Sequence, residues 1–396
     1  MFNKLKDCVV SNKNVFVRAD MNVSFKDGKI IDDTRIKSVI PTVKYLIENG
    51  AKVILTTHLG RPDGERKTEY SVKQLLPRIK ELLPNIKVNF SNDCIGEQTK
   101  KDVENTNYGE VILLENLRFH KEEEEGDSVF TKELASLANL YVNEAFSCCH
   151  RAHSSIAGLP TILKGCAGFS LEEELNNLTK LVSKPKTPVM VIVGGSKVST
   201  KLKLLKALVE KFEYIVVGGG MANTFLYALG HNIGKSLMEP ELKEEALALL
   251  DQAKKNGCKF ILPVDVVVSK AVAENQIVKN ITLNEVSDND IIVDIGSKSL
   301  EEITSILKKC KTVIWNGPIG IYEIEPFNNG TDYLAGIIAD MTKNSNLESV
   351  AGGGDILSAL NKAGISQDFS YVSTAGGAFL KWLEKGILVG IEKLKK

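Results

Sequence analysis

The chain has 396 residues, more than one ordinary hydrophobic core accommodates, so two domains are expected. Hydrophobic residues make up 43% and charged residues 25%, as in soluble globular proteins, and 50 basic residues balance 50 acidic ones, which argues against nucleic acid or an anionic membrane as a partner. No apolar run reaches the roughly 18 residues of a membrane span, and seven scattered cysteines favour reduced thiols in the cytoplasm over a disulfide framework.

Short apolar, β-branched runs alternate with helical periodicity along the whole chain. Amphipathic helices are predicted between the strands, for example over 34–50 and 199–212. Strands that are apolar on both faces and separated by helices indicate an α/β fold with parallel sheets covered on both sides. The predicted strands are 14–21, 51–58, 109–116, 140–146, 187–195, 214–221, 259–268, 312–317 and 348–355.

A polar helical segment over 170–188, which ends with Pro185 and Pro188, separates the two halves of the chain. Prolines after a helical pattern are typical of a linker. We therefore predict an N-terminal domain over 1–169, an interdomain helix and linker over 170–188, and a C-terminal domain over 189–371.

Arginine is confined to the first part of the chain. Only seven of the 50 basic residues are arginine, and none follows position 151. Because a guanidinium makes two parallel hydrogen bonds to a carboxylate or phosphate, arginines kept where lysine is the usual cation indicate a shared anionic ligand. The alternative is a set of chance surface arginines. The seven are Arg18, Arg35, Arg61, Arg66, Arg78, Arg118 and Arg151.

Polar residues follow the predicted strands of the first half. Asp20 and Asn22 close the first strand and His58 closes the second. Ligands of open α/β sheets bind at the carboxyl ends of the strands. Together with four nearby arginines, these side chains predict a site for a small polyanion with a phosphate, a carboxylate and a hydroxyl; a salt-bridge network with glutamates is the alternative. The four arginines are Arg35, Arg61, Arg118 and Arg151.

The segment NEAFSCCHRAHSS, residues 143–155, allows three interpretations: a metal site, a nucleophile with its base, or an anion site. Zinc sites usually space their cysteines by two to four residues, whereas Cys148 and Cys149 are adjacent. Neighbouring side chains at a strand end point apart, which disfavours a Cys–His pair. Arg151 as an anion clamp is the favoured interpretation.

The second half has glycine-rich turns between strands and helices. The turn VGGSKVSTK, residues 193–201, offers amides with Lys197 and Lys201 for phosphates, although it is not a Walker A motif. The segment 216–225 has Asn223 where a GxGxxG motif needs glycine. Asp355, after three glycines, supplies a carboxylate for Mg²⁺ on a nucleotide. Tight turns packed against helices are the alternative interpretation.

Two further segments complete the second candidate site. WNGPIGIYEIEPF, residues 315–327, offers Asn316, a Gly-Pro turn and Glu323 for a ribose hydroxyl. VSTAGGAFLKWLEKG, residues 372–386, begins a helix with glycines. A helix N-terminus carries about half a positive charge and free N–H groups, which suits a phosphoryl group in transfer.

With these motifs assembled, the sequence resembles the phosphoglycerate kinase family over essentially its whole length. The motifs occur in the family's order, which leaves little room for coincidence. They are RADMNV, HLGRP, ENLRF, NEAF with HRAHSS, GGSKVSTK, GGGMANTF, LPVD, WNGPIGIYE, GGGD and VSTAGGA.

The resemblance implies a monomeric cytoplasmic enzyme of glycolysis and gluconeogenesis that needs Mg²⁺. It implies reversible phosphoryl transfer between ATP and the carboxylate of 3-phosphoglycerate, giving ADP and 1,3-bisphosphoglycerate. It also implies two doubly wound, Rossmann-like parallel-sheet domains facing each other across a hinged cleft. Residues 372–396 are expected to pack back on the N-terminal domain.

The resemblance also implies roles for individual residues. Asp355 is expected to hold the nucleotide's Mg²⁺, and the transferring group is expected to contact Arg35, Lys197, Gly376 and Gly377. The implied phosphoglycerate-binding residues are Asp20, Asn22, Arg35, His58, Leu59, Gly60, Arg61, Arg118 and Arg151. The implied nucleotide-binding residues are Lys201, Gly218, Gly219, Gly296, Asn316, Pro318, Glu323, Gly353, Gly354, Asp355 and Ile356.

Three residues depart from the family's usual pattern. Ile356 replaces a common threonine or serine, and Ala375 and Phe379 stand where glycine and serine are typical. Alanine loses the backbone freedom of glycine, so the turn before the last long helix is expected to differ. Two other functions remain as alternatives: a nicotinamide-dependent oxidoreductase, disfavoured by the failed GxGxxG motif, and a binding protein that has lost phosphoryl transfer.

Overall fold

The computed structural model describes residues 2–344 and 347–395. The chain divides into two compact units: unit 1 runs to Asn176 and resumes at Ile387, and unit 2 is Asn177–Gly386. The boundary therefore lies inside the 170–188 segment. Residues 372–386 belong to unit 2, whereas the sequence placed the whole 372–396 tail with the N-terminal domain. Residues 1 and 396, which end the predicted ranges, lie outside the described part.

Unit 1 is built on parallel strands joined by helices. Its strands are β1 (Asn14–Ala19), β2 (Phe25–Lys26), β3 (Lys29–Ile30), β4 (Lys52–Thr56), β5 (Val88–Ser91), β6 (Val111–Leu114), β7 (Leu140–Glu144) and β8 (Gly165–Ala167). Its helices up to the boundary are α1 (Thr34–Glu48), α2 (Leu76–Leu82), α3 (Gly96–Glu104), α4 (Lys121–Glu125), α5 (Ser128–Ala135) and α6 (Phe169–Leu178), the last of which crosses into unit 2.

Six strands of unit 1 form one parallel sheet in the order β5-β6-β4-β1-β7-β8. Strands β4, β6 and β7 are buried at every position, as expected for a sheet covered on both faces. From the central β1 the chain first builds one side of the sheet and then returns to build the other with β7. The carboxyl ends of β1 and β7 therefore flank the point where a doubly wound sheet binds ligands.

Unit 2 repeats this architecture. Its strands are β9 (Val189–Val193), β10 (Tyr214–Val217), β11 (Lys259–Ile261), β12 (Asp265–Ser269), β13 (Lys279–Thr282), β14 (Ile291–Ile295), β15 (Thr312–Asn316), β16 (Glu348–Gly352) and β17 (Tyr371–Ser373). Its helices are α7 (Leu202–Val209), α8 (Gly220–Ala228), α9 (Lys243–Lys255), α10 (Ser297–Leu307), α11 (Asn329–Asn344), α12 (Gly354–Lys362) and α13 (Gly376–Lys385). Helix α14 (Val389–Glu392) follows in unit 1.

The parallel sheet of unit 2 has the order β11-β10-β9-β15-β16-β17, and the switch in winding lies between β9 and β15. The predicted α/β class with two parallel sheets is thus confirmed. The single strand predicted over 259–268 is wrong: β11 joins the parallel sheet, whereas β12 pairs antiparallel with β13 and β14. Pro263 lies between the two strands and has no N–H for a sheet ladder, which explains the break.

Each unit has its own hydrophobic core. In unit 1, residues of α1, α2 and the central strands pack together, and in unit 2 the apolar faces of α10, α11 and α12 pack on β9, β15 and β16. Among the described residues, no helix combines the length and apolar character needed to cross a membrane.

Candidate functional site

Unit 1 has a cavity of about 230 Å³ at the carboxyl ends of its parallel strands. Four of its lining residues are the arginines that the sequence singled out, so the structure brings them to one place. The residues that line the cavity are Asp20, Asn22, Arg35, His58, Gly60, Arg61, Arg118, Ser147, Cys148 and Arg151.

Arg35 lies in the first turn of α1 and points back to the end of β1. Its Nη1 lies 2.5 Å from Oδ2 of Asp20, which also accepts a hydrogen bond from the Ser147 hydroxyl. Asn22 accepts from the amide of Gly60 at 2.9 Å, which joins the turns after β1 and β4. These bonds hold one carboxylate and several donors around a common space.

Arg118 and Arg151 reach the cavity from the segments after β6 and β7. Nη1 of Arg118 donates to the carbonyl of Gly60 at 2.9 Å, and its Nε lies 3.2 Å from Glu124. Arg151 is 4.0 Å from the same carboxylate. One glutamate therefore partly neutralises two arginines, so the cavity keeps positive charge for an anionic ligand.

His58 is buried against Arg18, whose Nη2 lies 3.3 Å from Nδ1 of the ring. Burial and the neighbouring guanidinium hold the pKa of His58 well below its ordinary value. The ring is therefore neutral at pH 7. Since arginine can only donate, Nδ1 accepts and Nε2 carries the proton.

Ser147 and Cys148 line the cavity but were not among the predicted site residues, whereas Arg18, one of the seven arginines that indicated an anionic ligand, does not line it. Arg18 is fully buried behind the cavity and donates to Ser155 at 2.8 Å, and Ser155 donates to the buried Glu123. The sequence signal for this burial was the position of Arg18, a charged residue inside the apolar run of β1. Leu59, predicted to bind phosphoglycerate, is 3% exposed in the core and does not line the cavity.

The 143–155 segment contributes to the cavity through Ser147, Cys148 and Arg151. Burial raises the pKa of the Cys148 thiol, which disfavours a nucleophile. Among the described residues, the side chains spaced for a shared metal ion are Asp93, Cys94 and His120, outside this segment. The interpretation of the segment as part of an anion site stays a prediction, and its Arg151 lines the same cavity as three other arginines.

Unit 2 has a larger cavity, of about 570 Å³. Four residues predicted for nucleotide binding line it: Gly219, Pro318, Glu323 and Asp355. One wall is apolar and includes Val266 and Ile292 of the small antiparallel sheet. This wall was missed because the sequence showed 259–268 as a single strand of the main sheet.

Lys201 lies beside this cavity, at the start of α7. Its Nζ donates to the carbonyl of Gly194 and to Oδ1 of Asn316, both at 2.6 Å. Burial lowers the pKa of Lys201 to about 8, and the charge of Asp355 opposes that shift. The ammonium group thus links the ends of β9 and β15 at the switch point.

Two glycines are required by close backbone contacts at the same edge. A Cβ on Gly194 would lie 1.7 Å from the carbonyl oxygen of Pro318, so the turns after β9 and β15 touch there. Gly353 has φ of 122° and lies against the Asn316 amide, which also donates to the carbonyl of Gly352. The glycine-rich segments therefore form a backbone surface with few side chains.

Several predicted residues do not line either cavity. Gly218 packs against Ile319, and Gly296 packs against Asp265 at the start of α10. Ile356 is fully buried in the core, so the side chain that departs from the family pattern fills a packing position. Lys197 is exposed on the turn after β9. The remaining residues outside the cavities are Asn316, Gly353, Gly354, Gly376 and Gly377.

The N-termini of α12 and α13 lie together in unit 2. A Cβ on Gly376 would be 3.9 Å from the amide nitrogen of Gly354. Ala375 has φ of −99°, which any residue adopts, and Phe379 is buried against Gly352. Both departures from the family pattern are therefore accommodated without strain.

Comparison with known proteins identifies this arrangement. A family model described as phosphoglycerate kinase matches residues 5–386. The chain belongs to the phosphoglycerate kinase family. The phosphoglycerate kinases of Orientia tsutsugamushi (strain Ikeda) and Rhizobium meliloti (strain 1021) are 47% and 46% identical to it, over 99% and 100% of this chain and 96% and 99% of their own lengths.

Solved phosphoglycerate kinases share the fold. The structure from Coxiella burnetii has a TM-score of 0.90 at 37% identity and covers 100% of this chain and 99% of its own. The structure from Pyrococcus horikoshii OT3 has a TM-score of 0.78 at 32% identity, covering 100% and 98%. The predicted function, phosphoglycerate kinase, is thereby confirmed. ATP and ADP are the family's nucleotide substrates.

Proposed function

We propose that unit 1 binds 3-phosphoglycerate, that unit 2 binds the Mg-nucleotide, and that the γ-phosphoryl group passes directly from ATP to the carboxylate. The observation that carries this assignment is the cavity of unit 1, where four arginines from four different segments converge with Asp20 and Asn22. Phosphate and carboxylate groups are the ligands that match such a set of guanidinium forks.

Within the unit 1 cavity, the arginines bind the phosphate and carboxylate of the substrate. Asp20 and Asn22 supply the acceptors that suit its hydroxyl. His58 donates through Nε2 as a neutral ring, because Arg18 occupies Nδ1. The proposal thus covers the predicted residues that line the cavity. Leu59 does not line it, and we propose that its side chain only anchors the turn after β4 in the core.

The cavity of unit 2 suits a nucleotide in shape and chemistry. Its apolar wall accommodates a base, and Glu323 lies where a ribose hydroxyl can donate to a carboxylate. We assign the binding of the nucleotide's phosphates to Lys201 and to the amides at the start of α8 and α12, because helix N-termini bind anions. The carboxylate of Asp355, exposed in the first turn of α12 at the cavity, is an oxygen ligand of the kind Mg²⁺ prefers. When bound, Mg²⁺ neutralises charge on the phosphate oxygens.

The reaction needs no general base. A carboxylate with a pKa near 4 is already ionised at pH 7, so it attacks phosphorus directly. Catalysis then depends on positioning and on positive charge around the transferred group. We assign that charge to Arg35 and the exposed Lys197, and the N–H groups to Gly376 and Gly377 at the start of α13.

We further propose that the enzyme is a cytoplasmic monomer whose two units close when both substrates bind. Water at the reaction site would compete as an acceptor, and closure would expel it. The position of the unit boundary within α6 supports a hinge in this helix. Solution scattering should show compaction with both substrates present; unchanged dimensions would contradict the closure.

A spectrophotometric coupled assay with ATP, Mg²⁺ and 3-phosphoglycerate tests the function. We expect turnover that depends on all three components. ADP formation that is independent of 3-phosphoglycerate would contradict direct transfer. A fluorescence titration with NADH serves as the control for a nicotinamide enzyme, and no binding is expected.

A further inference from the structure

Glu144 is a buried carboxylate outside both cavities that the mechanism above does not use. It is the last residue of β7 and is 5% exposed. The next residue begins the segment that carries Ser147, Cys148 and Arg151 into the phosphoglycerate cavity. The backbone of Glu144 is thus continuous with the substrate-binding segment.

The side chain of Glu144 contacts the start of α6. Its Oε2 accepts from the amide of Leu171 at 3.0 Å and its Oε1 from that of Ser170 at 3.3 Å. A Cβ on Gly168 would lie 2.1 Å from Oε1, so the backbone before the helix lies directly against the carboxylate. The carboxylate therefore satisfies N–H groups that a helix start otherwise leaves without partners.

Thr42 extends this contact to α1. Its hydroxyl donates to Oε1 of Glu144, and its oxygen accepts from the amide of Phe169 at 2.9 Å. Thr42 lies on the same helix as Arg35, whose guanidinium reaches the cavity. The first turn of α6 is consequently fixed to α1, which carries Arg35, and to the end of β7, which precedes the segment of Arg151.

Helix α6 is also where the chain leaves unit 1, since the boundary falls after Asn176. We propose that Glu144 is a positioning residue for phosphoryl transfer, which ties the first turn of α6 to the helix of Arg35 and the strand before Arg151. Movement of α6 and placement of the two arginines are then mechanically linked. The inference rests on the proposed transfer between the units.

Glu144→Gln tests the link, because an amide keeps the shape but replaces one acceptor oxygen with a donor that faces the helix N–H groups. We expect kcat to fall about tenfold, as for residues that control closure. The dissociation constant for 3-phosphoglycerate alone, from calorimetry, should stay within about twofold, because the cavity side chains are unchanged. Substrate-induced compaction in solution scattering should be reduced.

Asp127→Ala is the matched control. Asp127 caps α5 through the amides of Val129 and Phe130, both at 2.8 Å, and this helix does not cross the boundary. Its loss should lower the melting temperature without lowering kcat, measured well below melting. Equal loss of kcat in both variants, or no loss in Glu144→Gln, would overturn the proposal.

Thr42→Val provides a second variant if Glu144→Gln does not fold. It removes the link to α1 but leaves the Glu144 bonds to the amides of α6. We expect a loss of kcat of about threefold with unchanged 3-phosphoglycerate affinity, and unchanged kcat contradicts the proposal. The wild type is assayed alongside: its failure to turn over refutes the proposed function, whereas normal wild-type turnover with unaffected variants refutes this inference alone.

Discussion

The two cavities present different chemistry on similar parallel sheets. The cavity of unit 1 is built from charged side chains, with Arg35, Arg61, Arg118 and Arg151 around Asp20. At the switch point of unit 2, between β9 and β15, the surface is formed mainly by backbone. The turns after these two strands touch, and Lys201 hydrogen-bonds to both. Every arginine of the chain lies in unit 1.

Under the proposed assignment of the ligands, this difference corresponds to two modes of recognition. A small acid that carries two anionic groups is distinguished by forked hydrogen bonds, which only arginine supplies. A nucleotide's phosphates are distinguished by amides at helix starts, which need glycine so that backbones approach closely. Activity should therefore fall most when a cavity side chain of unit 1 is removed. In unit 2 it should fall most when a glycine of the turns is replaced by a residue with a side chain.

Loss of Arg35 should have the largest effect. We expect Arg35→Ala to reduce kcat by about 10³, the lower end for a cation on a transferring phosphoryl group. Arg78→Ala is the control, because Arg78 lies outside the cavity and, itself half-buried, forms ion pairs with Asp33 and Glu81. Its kcat should match the wild type in the coupled assay. A loss below about tenfold for Arg35→Ala would remove Arg35 from the transfer step.

Addition of one methyl group should disable the proposed nucleotide site. In Gly194→Ala the new Cβ would lie 1.7 Å from the carbonyl oxygen of Pro318, so the two turns must separate. We expect KM for ATP to rise about a hundredfold, as for a shift of about 1 Å at a site. Gly336→Ala, in α11 with open space around it, is the control and should leave KM unchanged. Equal KM values in the two variants would refute the backbone contact.

A substitution that conserves charge should show whether Arg151 acts through its paired hydrogen bonds or through its positive charge alone. Arg151→Lys keeps the positive charge but loses one of two parallel hydrogen bonds, so KM for 3-phosphoglycerate should rise about twentyfold. KM for ATP should remain that of the wild type. An unchanged KM for 3-phosphoglycerate in steady-state kinetics would exclude bidentate binding by Arg151.

The pH dependence of kcat/KM for ATP should show whether the charge of Lys201 contributes to nucleotide binding. Because burial lowers its pKa to about 8, its charge is present below pH 8 and lost above it. We expect kcat/KM for ATP to fall about tenfold from pH 7 to pH 9. Lys201→Arg stays charged throughout, and its profile should lack this step. A wild-type profile that is flat over this range would contradict the role of the ammonium group.

The parallel sheets were predictable because their strands are apolar on both faces, as in the fully buried VMVIV of β9. The convergence of four arginines on one cavity was predictable because arginine is rare here and polar residues follow strand ends. The burial of Arg18 was not predicted, because a sequence does not show whether a charged residue in a strand lies in a cavity or in a buried network behind it. The apolar wall of the unit 2 cavity was missed because antiparallel pairing of β12 depends on contacts distant in the chain.

The predicted tail illustrates the same limit. Helical periodicity over 372–386 indicated a helix, yet nothing local to it shows which core it joins. The structure packs α13 against α7 in unit 2 and leaves only the residues from Ile387 onward with unit 1. Whether a segment forms a helix can be predicted from its own residues, whereas the core against which the helix packs is set by contacts with distant parts of the chain.

Residues 387–395 pack in unit 1, although they follow unit 2 in the sequence. The amide of Asn3 donates to the carbonyl of Leu394 at 2.8 Å, that of Gly390 donates to Cys149 at 2.9 Å, and Leu394 is fully buried. On the ribosome, unit 2 therefore has its whole sequence available before the N-terminal sheet acquires its final packing. We therefore expect the unit 1 cavity to reach its final shape only once residues 387–395 can pack against the loop that follows β7.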